Sequence, residues 1–419
     1  MSKPRPKSWQ RFEPLLRHLP AWAVSALSAR SLPPKPALFD LVIIDEAAQC
    51  AIPAVLPLLY RAKRALIIGD PRQLPPVISL PEREEETHQM RAGIGVQWLA
   101  DRRLTYTKHS AFDAFEMVAG EVHLLDEHYR CHPDIVAEPN RQVYQNRLTV
   151  LTDQSRLVAA TDPAVRWHHI DGSFSHGQAG SGFNEAELHE VVAEVFRLRA
   201  VHPQASIGVV TPLAAQNRRL ATTLAAAGLD ENHVVCGTIH RFQGGERDIM
   251  IISPVGAHGI RDTTRNWLVH QTNLWNVAMT RARSQLVVVG DRPRWASQSG
   301  LLAAVAAPEA GYVDPTEKNT RAADALHASL RHGGLRVTRD VRLDGYHYDI
   351  AVSKSGAAWS LMILVDDPQG DPAGRPFRKV LALLDATPSV PVIRVPAWKC
   401  LTESEELVDR ISALLHTPG

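Results

Sequence analysis

The sequence predicts an α/β protein, with parallel sheet spread over two regions and a smaller α/β domain behind them. Three observations support this class. Short β-rich apolar runs recur at 39–44, 64–68, 165–170, 205–210, 233–238, 248–253 and 284–289, most followed by a loop and a helical pattern. Several of these runs end in chemistry-bearing residues: Asp45-Glu46, Gly69-Asp70, Thr211-Pro212 and Gly290-Asp291. Ligand crevices of open α/β sheets lie at the carboxyl ends of the strands, so the pattern is what a doubly wound sheet produces. Finally, an Ala-, Pro- and Gly-rich stretch near 303–315 separates these runs from a second set.

Composition bounds the rest. A chain of 419 residues has room for two or three domains, each with its own core. A hydrophobic share of 45% and a charged share of 22% are ordinary for globular protein. A net charge of +1 exerts no global pull on nucleic acid, so any such surface is local. Cys50, Cys131, Cys236 and Cys400 lie far apart and form no C-x-x-C pair. That argues against a zinc ribbon or disulfide framework and fits a reducing cytosol. Residues 1–7 are basic and 21–29 are short and apolar, but Glu13, Arg17 and His18 intervene, so a signal peptide is not expected. No run approaches membrane-spanning length, and the expected compartment is cytoplasmic with no membrane partner.

In chain order, a first region is expected over 1–112, changing after the charged stretch Glu82-Arg83-Glu84-Glu85-Glu86 and ending near Ser110 to Phe112. A second runs over 113–300, a linker over 301–315 and a last domain over 316–419. That domain opens on a helix capped by Thr316, next to Glu317. Strands follow at 334–338, 347–353 and 358–365, then a helix near 378–384, a strand at 391–395 and a closing helix at 403–415.

The first motif is Asp45-Glu46-Ala47-Ala48-Gln49, at the end of a run that reads as a buried strand. In a nucleotide triphosphatase the first carboxylate holds Mg²⁺ on the phosphates and the second polarises water. Alone, the pair reads first as a strand end capped by solvated acids. Next is Gly69-Asp70-Pro71-Arg72-Gln73-Leu74-Pro75-Pro76, whose Gln suits sensing of a γ-phosphate; otherwise it is a Pro-rich turn. Tyr129-Arg130-Cys131-His132-Pro133, Phe242-Gln243-Gly244-Gly245-Glu246-Arg247-Asp248 and Asn276-Val277-Ala278-Met279-Thr280-Arg281-Ala282-Arg283 follow. Arg130 and Arg281 are the arginine-finger candidates; the alternative is a surface arginine in a weak ion pair.

In this order the five motifs resemble the core of superfamily 1 helicases, in particular the up-frameshift-like 5′→3′ branch, over residues 20 to 300. The resemblance implies two RecA-like lobes, the first partial and the second complete, with ATP and Mg²⁺ as cofactors. It implies that Asp45 ligates Mg²⁺, Glu46 is the base and Gln73 couples the γ-phosphate to the nucleic-acid track. Arg130 and Arg281 would reach the γ-phosphate, and Gln243, Gly244 and Glu246 would line the nucleotide cleft. Thr211, Pro212, Thr238 and His240 would contact the backbone of single-stranded nucleic acid, DNA ahead of RNA. Trp22 to Ser28 resembles the strand and motif just upstream of the acidic pair.

No G-x-x-x-x-G-K-[ST] loop occurs among the 419 residues. A partner chain or an upstream segment is therefore expected to carry the P-loop, and ATP hydrolysis by these residues alone is not expected.

The last domain resembles the PD-(D/E)XK nuclease fold, the restriction-endonuclease-like class, and within it the very-short-patch-repair-like domains. The resemblance rests on Glu317, Asp349 and Asp366. Leu364 stands where that family carries Glu, which would cripple the metal site, so a docking or packing role is expected over cleavage. Adjacent His168 and His169 cannot share an ion on a strand. Pro133 disfavours the shared helical face that His128 and His132 would need. Three functions stand: a helicase or translocase portion, a non-enzymatic nucleic-acid-binding or regulatory pseudo-helicase, and a Mg²⁺-dependent nuclease.

Overall fold

The computed structural model describes residues 12–161, 163–177, 181–229, 233–242, 245–307, 321–343, 346–353, 359–366 and 390–416. The chain divides into two compact units, Met1–Leu125 and Asp126–Gly419.

In the first unit β1 (Val42–Ile44) pairs in parallel with β2 (Ala65–Ile67), Val42 opposite Ala65 and Ile44 opposite Ile67. The crossover between them is the helix Ile52–Tyr60. Ile44, Ala47, Ala48, Val55, Ala111 and Phe112 form the core. Two expectations fail here. The run at 39–44 is a short strand exposed at Leu41 and Ile43, because a pair of strands leaves a parallel sheet uncovered. Trp22 to Ser28, likened to a strand and motif, is irregular chain running into a 3₁₀ turn at Ser28–Ser31.

The unit also runs past the boundary expected near Phe112. Ser110 caps the helix Ala111–Glu116 through a reciprocal box with Asp113, and Ala111 and Phe112 pack into the first unit's core.

In the second unit a small parallel pair, β3 (Glu127–His128) and β4 (Thr149–Val150), flanks the helix Pro133–Gln142. The main sheet has five strands: β5 (Val165–His169), β8 (Ile207–Thr211), β9 (Val234–Thr238), β10 (Arg247–Ile252) and β11 (Ala282–Gly290). Their order is β5-β11-β10-β8-β9, all parallel. Leu188, Val191, Val195 and Leu198, on one stripe of the helix Glu185–Val201, pack on Val209, Ile249, Ile251, Val287 and Val289. The alternate residues Met250, Ile252, Leu286 and Val288 are equally buried, so both faces of the sheet are covered. Between β5 and that helix lies an antiparallel hairpin, β6 (Phe174–His176) and β7 (Gly182–Asn184).

A second sheet follows in the same unit: β12 (Arg336–Leu343), β13 (Tyr346–Ser353), β14 (Leu361–Asp366) and β15 (Val392–Pro396). The first three are antiparallel neighbours and β15 runs parallel to β14. The helices Arg321–His332 and Ser404–His416 build its own core with Leu326, Leu330, Ile350, Ile363, Val395 and Ile411. Thr316, Glu317 and the helix expected near 378–384 lie outside the described residues. No described helix is long and apolar enough to cross a membrane.

Candidate functional site

In the first unit the acidic pair and the Gly-Asp-Pro loop are brought together by backbone contact. The Ile68 N–H donates to the Ile44 carbonyl at 2.9 Å, and the Ala47 N–H donates to the Ile68 carbonyl at 2.8 Å. A Cβ on Gly69 would lie 2.8 Å from Ala48 N, so only glycine lets the loop lie against the segment after Glu46. Asp45 is exposed, and one of its oxygens accepts the Glu46 N–H at 2.9 Å. Glu46 takes a left-handed backbone, φ 53°, at a cost of about 1 kcal/mol for a residue with a Cβ. Gln49 donates to its carboxylate at 2.7 Å. Asp70 accepts both the Arg72 N–H at 2.9 Å and the Gln73 side chain at 3.2 Å, which sets Gln73 within the turn. The oxygen-only donor set at Asp45 suits a hard cation such as Mg²⁺.

In the second unit the two arginine motifs meet. The His132 N–H donates to the Arg283 carbonyl at 2.7 Å, and the Cys131 thiol to the Thr280 carbonyl at 3.4 Å. Arg130 forms an ion pair with Glu246 at 2.8 Å, and Arg283 approaches the other oxygen of Glu246 at 3.7 Å. Arg281 is buried in the same cluster, and its carbonyl accepts the Arg247 N–H at 3.0 Å. Burial pushes the Cys131 thiol up to about 12 against the pull of Arg130 and Arg281, so it is an inert packing group. His128 is pushed down to about 4, by burial first and Arg130 second, and its neutral Nε2 accepts the Cys131 N–H at 2.9 Å. His132 caps the helix Pro133–Gln142 instead of sharing a face with His128, as the proline requires. Gln243 and Gly244 lie outside the described residues.

The four residues expected on the nucleic-acid track sit at the carboxyl end of the main sheet. Thr211 ends β8 opposite Thr238, which ends β9. His240 is exposed and Pro212 and Thr238 are half-buried, but Thr211 is fully buried.

In the last sheet Asp349 is buried, and its carboxylate accepts the Val365 N–H at 2.6 Å, tying β13 to β14. Asp366 ends β14 opposite Pro396, and Glu317 is outside the described residues.

Two groups escaped the motif reading. Arg283 belongs to the arginine cluster and was visible as the last residue of its motif. Glu187, fully buried at the start of a long helix, accepts from Ser253 at 2.7 Å, from the Val255 N–H at 2.9 Å and from Asn184 at 3.1 Å. Its signal was the spacing from Asn184, which caps that helix through the Ala186 and Glu187 N–H groups.

Comparison with known families gives two matches, both to models described as an AAA domain, over residues 25–80 and 107–293. Among curated proteins, MAGATAMA 3 of Arabidopsis thaliana is 29% identical over 273 residues, 60% of this chain and 30% of the relative. Helicase sen1 of Schizosaccharomyces pombe is 29% identical over 272 residues, 60% of this chain and 14% of the relative. The 5′-3′ DNA helicase ZGRF1 of Mus musculus is 27% identical over 260 residues, 60% of this chain and 13% of the relative. The chain thus spans less than a third of the length of these three relatives. The two AAA-domain matches together span all five motifs, and these similar curated proteins are described as helicases.

Proposed function

We propose that this chain carries the portion of a superfamily 1 helicase or translocase from the acidic pair to the last arginine motif. In that reading it couples ATP hydrolysis to movement on single-stranded nucleic acid once a phosphate-cradling loop is supplied by another segment or chain. The observation that carries the reading is the convergence of Arg130 and Arg283 on Glu246, with Arg281 buried beside Cys131, built by two motifs distant in sequence that hydrogen-bond to each other. Such a concentration of cations is what the charge on a transferring γ-phosphoryl group and the departing ADP requires, and one arginine there contributes about 10³–10⁵ in turnover. Glu246 would hold Arg130 until a nucleotide competes for it.

Within the first unit Asp45 would hold Mg²⁺, which neutralises charge on the phosphates when bound. Glu46 would accept the proton of the attacking water. Its hydrogen bond from Gln49 aims the carboxylate, and Gln73, set by Asp70, would respond to the γ-phosphate. The exposed apolar residues of β1 and β2, Ile43 and Leu66, support a covering segment beside them, the expected place of the absent loop. At the carboxyl end of the main sheet, His240, Thr238 and the Pro212 loop would follow the backbone of a single strand without reading its sequence.

The deciding experiment is steady-state ATP turnover with Mg²⁺ by this chain supplied with the phosphate-cradling segment of a similar helicase, with and without single-stranded DNA. Turnover that DNA stimulates and Glu46→Gln removes supports the reading. Absence of turnover together with strand binding would favour the second reading, a pseudo-helicase that grips nucleic acid. A nuclease role for the last domain is disfavoured by Asp349, whose carboxylate is buried against the Val365 N–H, and by Leu364. Mg²⁺-dependent cleavage abolished by Asp349→Ala would restore it.

A further inference from the structure

At the carboxyl end of the main sheet, beside the strand-contacting loop, lies a polar network that the proposed reaction does not use. Glu187, Asn184, Gln216 and Ser253 are all fully buried. Glu187 accepts from Ser253, Asn184 and the Val255 N–H; the Gln216 amide donates to Ser253 at 3.0 Å and to the Asn184 carbonyl at 3.2 Å. The Asn184 N–H donates back to Gln216 at 3.0 Å. Two loops are tied in. Gln216 is on the helix that follows Thr211-Pro212, and the Ser253 N–H donates to the Val210 carbonyl at 2.9 Å, next to Thr211.

Both loops carry conformational cost. Val255 is β-branched and stands at φ 63°, where such residues are true outliers. The buried Thr211 hydroxyl meets no hydrogen-bond partner among the described residues. Cost of that kind persists only where the surroundings over-determine the conformation. The surroundings here are the Glu187 carboxylate and its donors. Space is cleared for them: a Cβ on Gly172 would lie 2.5 Å from the Asn184 side chain, and one on Gly290 would lie 3.3 Å from Glu187. Burial pushes the carboxyl up to about 7 and Asp291 adds to the rise, against the hydrogen bonds from Ser253, Val255 and Asn184.

We propose that Glu187 is a positioning residue for nucleic-acid binding, acting through Ser253 and Gln216 to hold the Thr211-Pro212 loop and the 253–257 loop in their strand-accepting form. This rests on the reading that single-stranded nucleic acid follows that sheet edge. Two measurements on the full chain separate them. The first is amide hydrogen exchange over 211–217 and 253–258, which needs no nucleic acid. Glu187→Gln and the milder Ser253→Ala should each speed exchange there while the β10 and β11 amides stay protected; unchanged exchange in either variant would overturn the proposal. The second is anisotropy of a fluorescein-labelled deoxythymidine 20-mer. Both variants should bind about tenfold more weakly, with melting midpoints near the parent's. A merely structural role would lower melting and affinity together. Equal binding by Ser253→Ala and the parent would overturn the positioning role, whereas a parent that does not bind the 20-mer at all sinks the strand reading and this assignment with it.

Discussion

Strands β1 and β2 of the first unit and β8, β10 and β11 of the second read alike, as apolar runs that end in acids, glycine or threonine. Yet Ile43 is 57% exposed and Leu66 48%, whereas Val209, Ile251 and Val288 are at 0%. The difference lies in the neighbours. β10 has a hydrogen-bonded strand on each side and helices over both faces, while β1 pairs with β2 and a single crossover helix. Parallel strands are built to be buried on both faces, so the first unit displays a surface its own described residues do not cover. The same asymmetry runs through the candidate chemistry. The acids of the first unit are held by local turns, whereas the arginines of the second are locked by contacts between distant motifs.

Several experiments would break or sharpen this contrast. The largest effect is expected from Arg281→Ala. Turnover of ATP should fall about 10³–10⁵-fold with single-strand affinity near the parent's, and an equal loss of both would remove its role at the phosphate. Next, Ile251→Ala in the centre of the covered sheet should cost about 2–5 kcal/mol in denaturant unfolding.

Gly69→Ala forces a Cβ to within 2.8 Å of Ala48 N and should cost about 1–3 kcal/mol, localised to the first unit. A smaller effect is expected from acid. His128 sits at about 4 in the fold against an ordinary value near 6.5, so its neutral form is the folded one. The stability it contributes is full above about pH 6.5 and is lost as pH falls through 4. Acid titration of the second unit should show that slope, and His128→Asn should flatten it. The smallest effect belongs to Ile43→Ala, expected within about 0.5 kcal/mol as for an exposed site. A cost matching that of Ile251→Ala would mean the first sheet is already covered.

Much of the second unit was legible in the chain. Runs such as Ile207-Gly208-Val209-Val210 and Ile249-Met250-Ile251-Ile252 are too short for helices and too apolar for edges, so their identity as buried strands follows from composition. The run before Asp45 carries the same signal and misled on burial, because periodicity reports what a strand could bury and not what is beside it. The boundary near Phe112 moved for a related reason: the cap at Ser110 is a local signal, but Ala111 and Phe112 choose their unit by packing. Thr211 was legible as a strand end, but its full burial was not. That follows from packing between β8 and the elements around it, which no local stretch specifies.

The sequence by itself determined the strand-and-helix order, the positions of the acidic pair and the arginines, and their likeness to a helicase core. These are local patterns and spacings, readable along one dimension. Only the tertiary structure decided that Arg130 and Arg283 converge on Glu246, that Asp349 is committed to a backbone N–H, and that a buried carboxylate braces two strained loops. Those are contacts between residues 16 to more than a hundred positions apart, and such pairings are set by how the sheet stacks its strands and not by any stretch of chain alone.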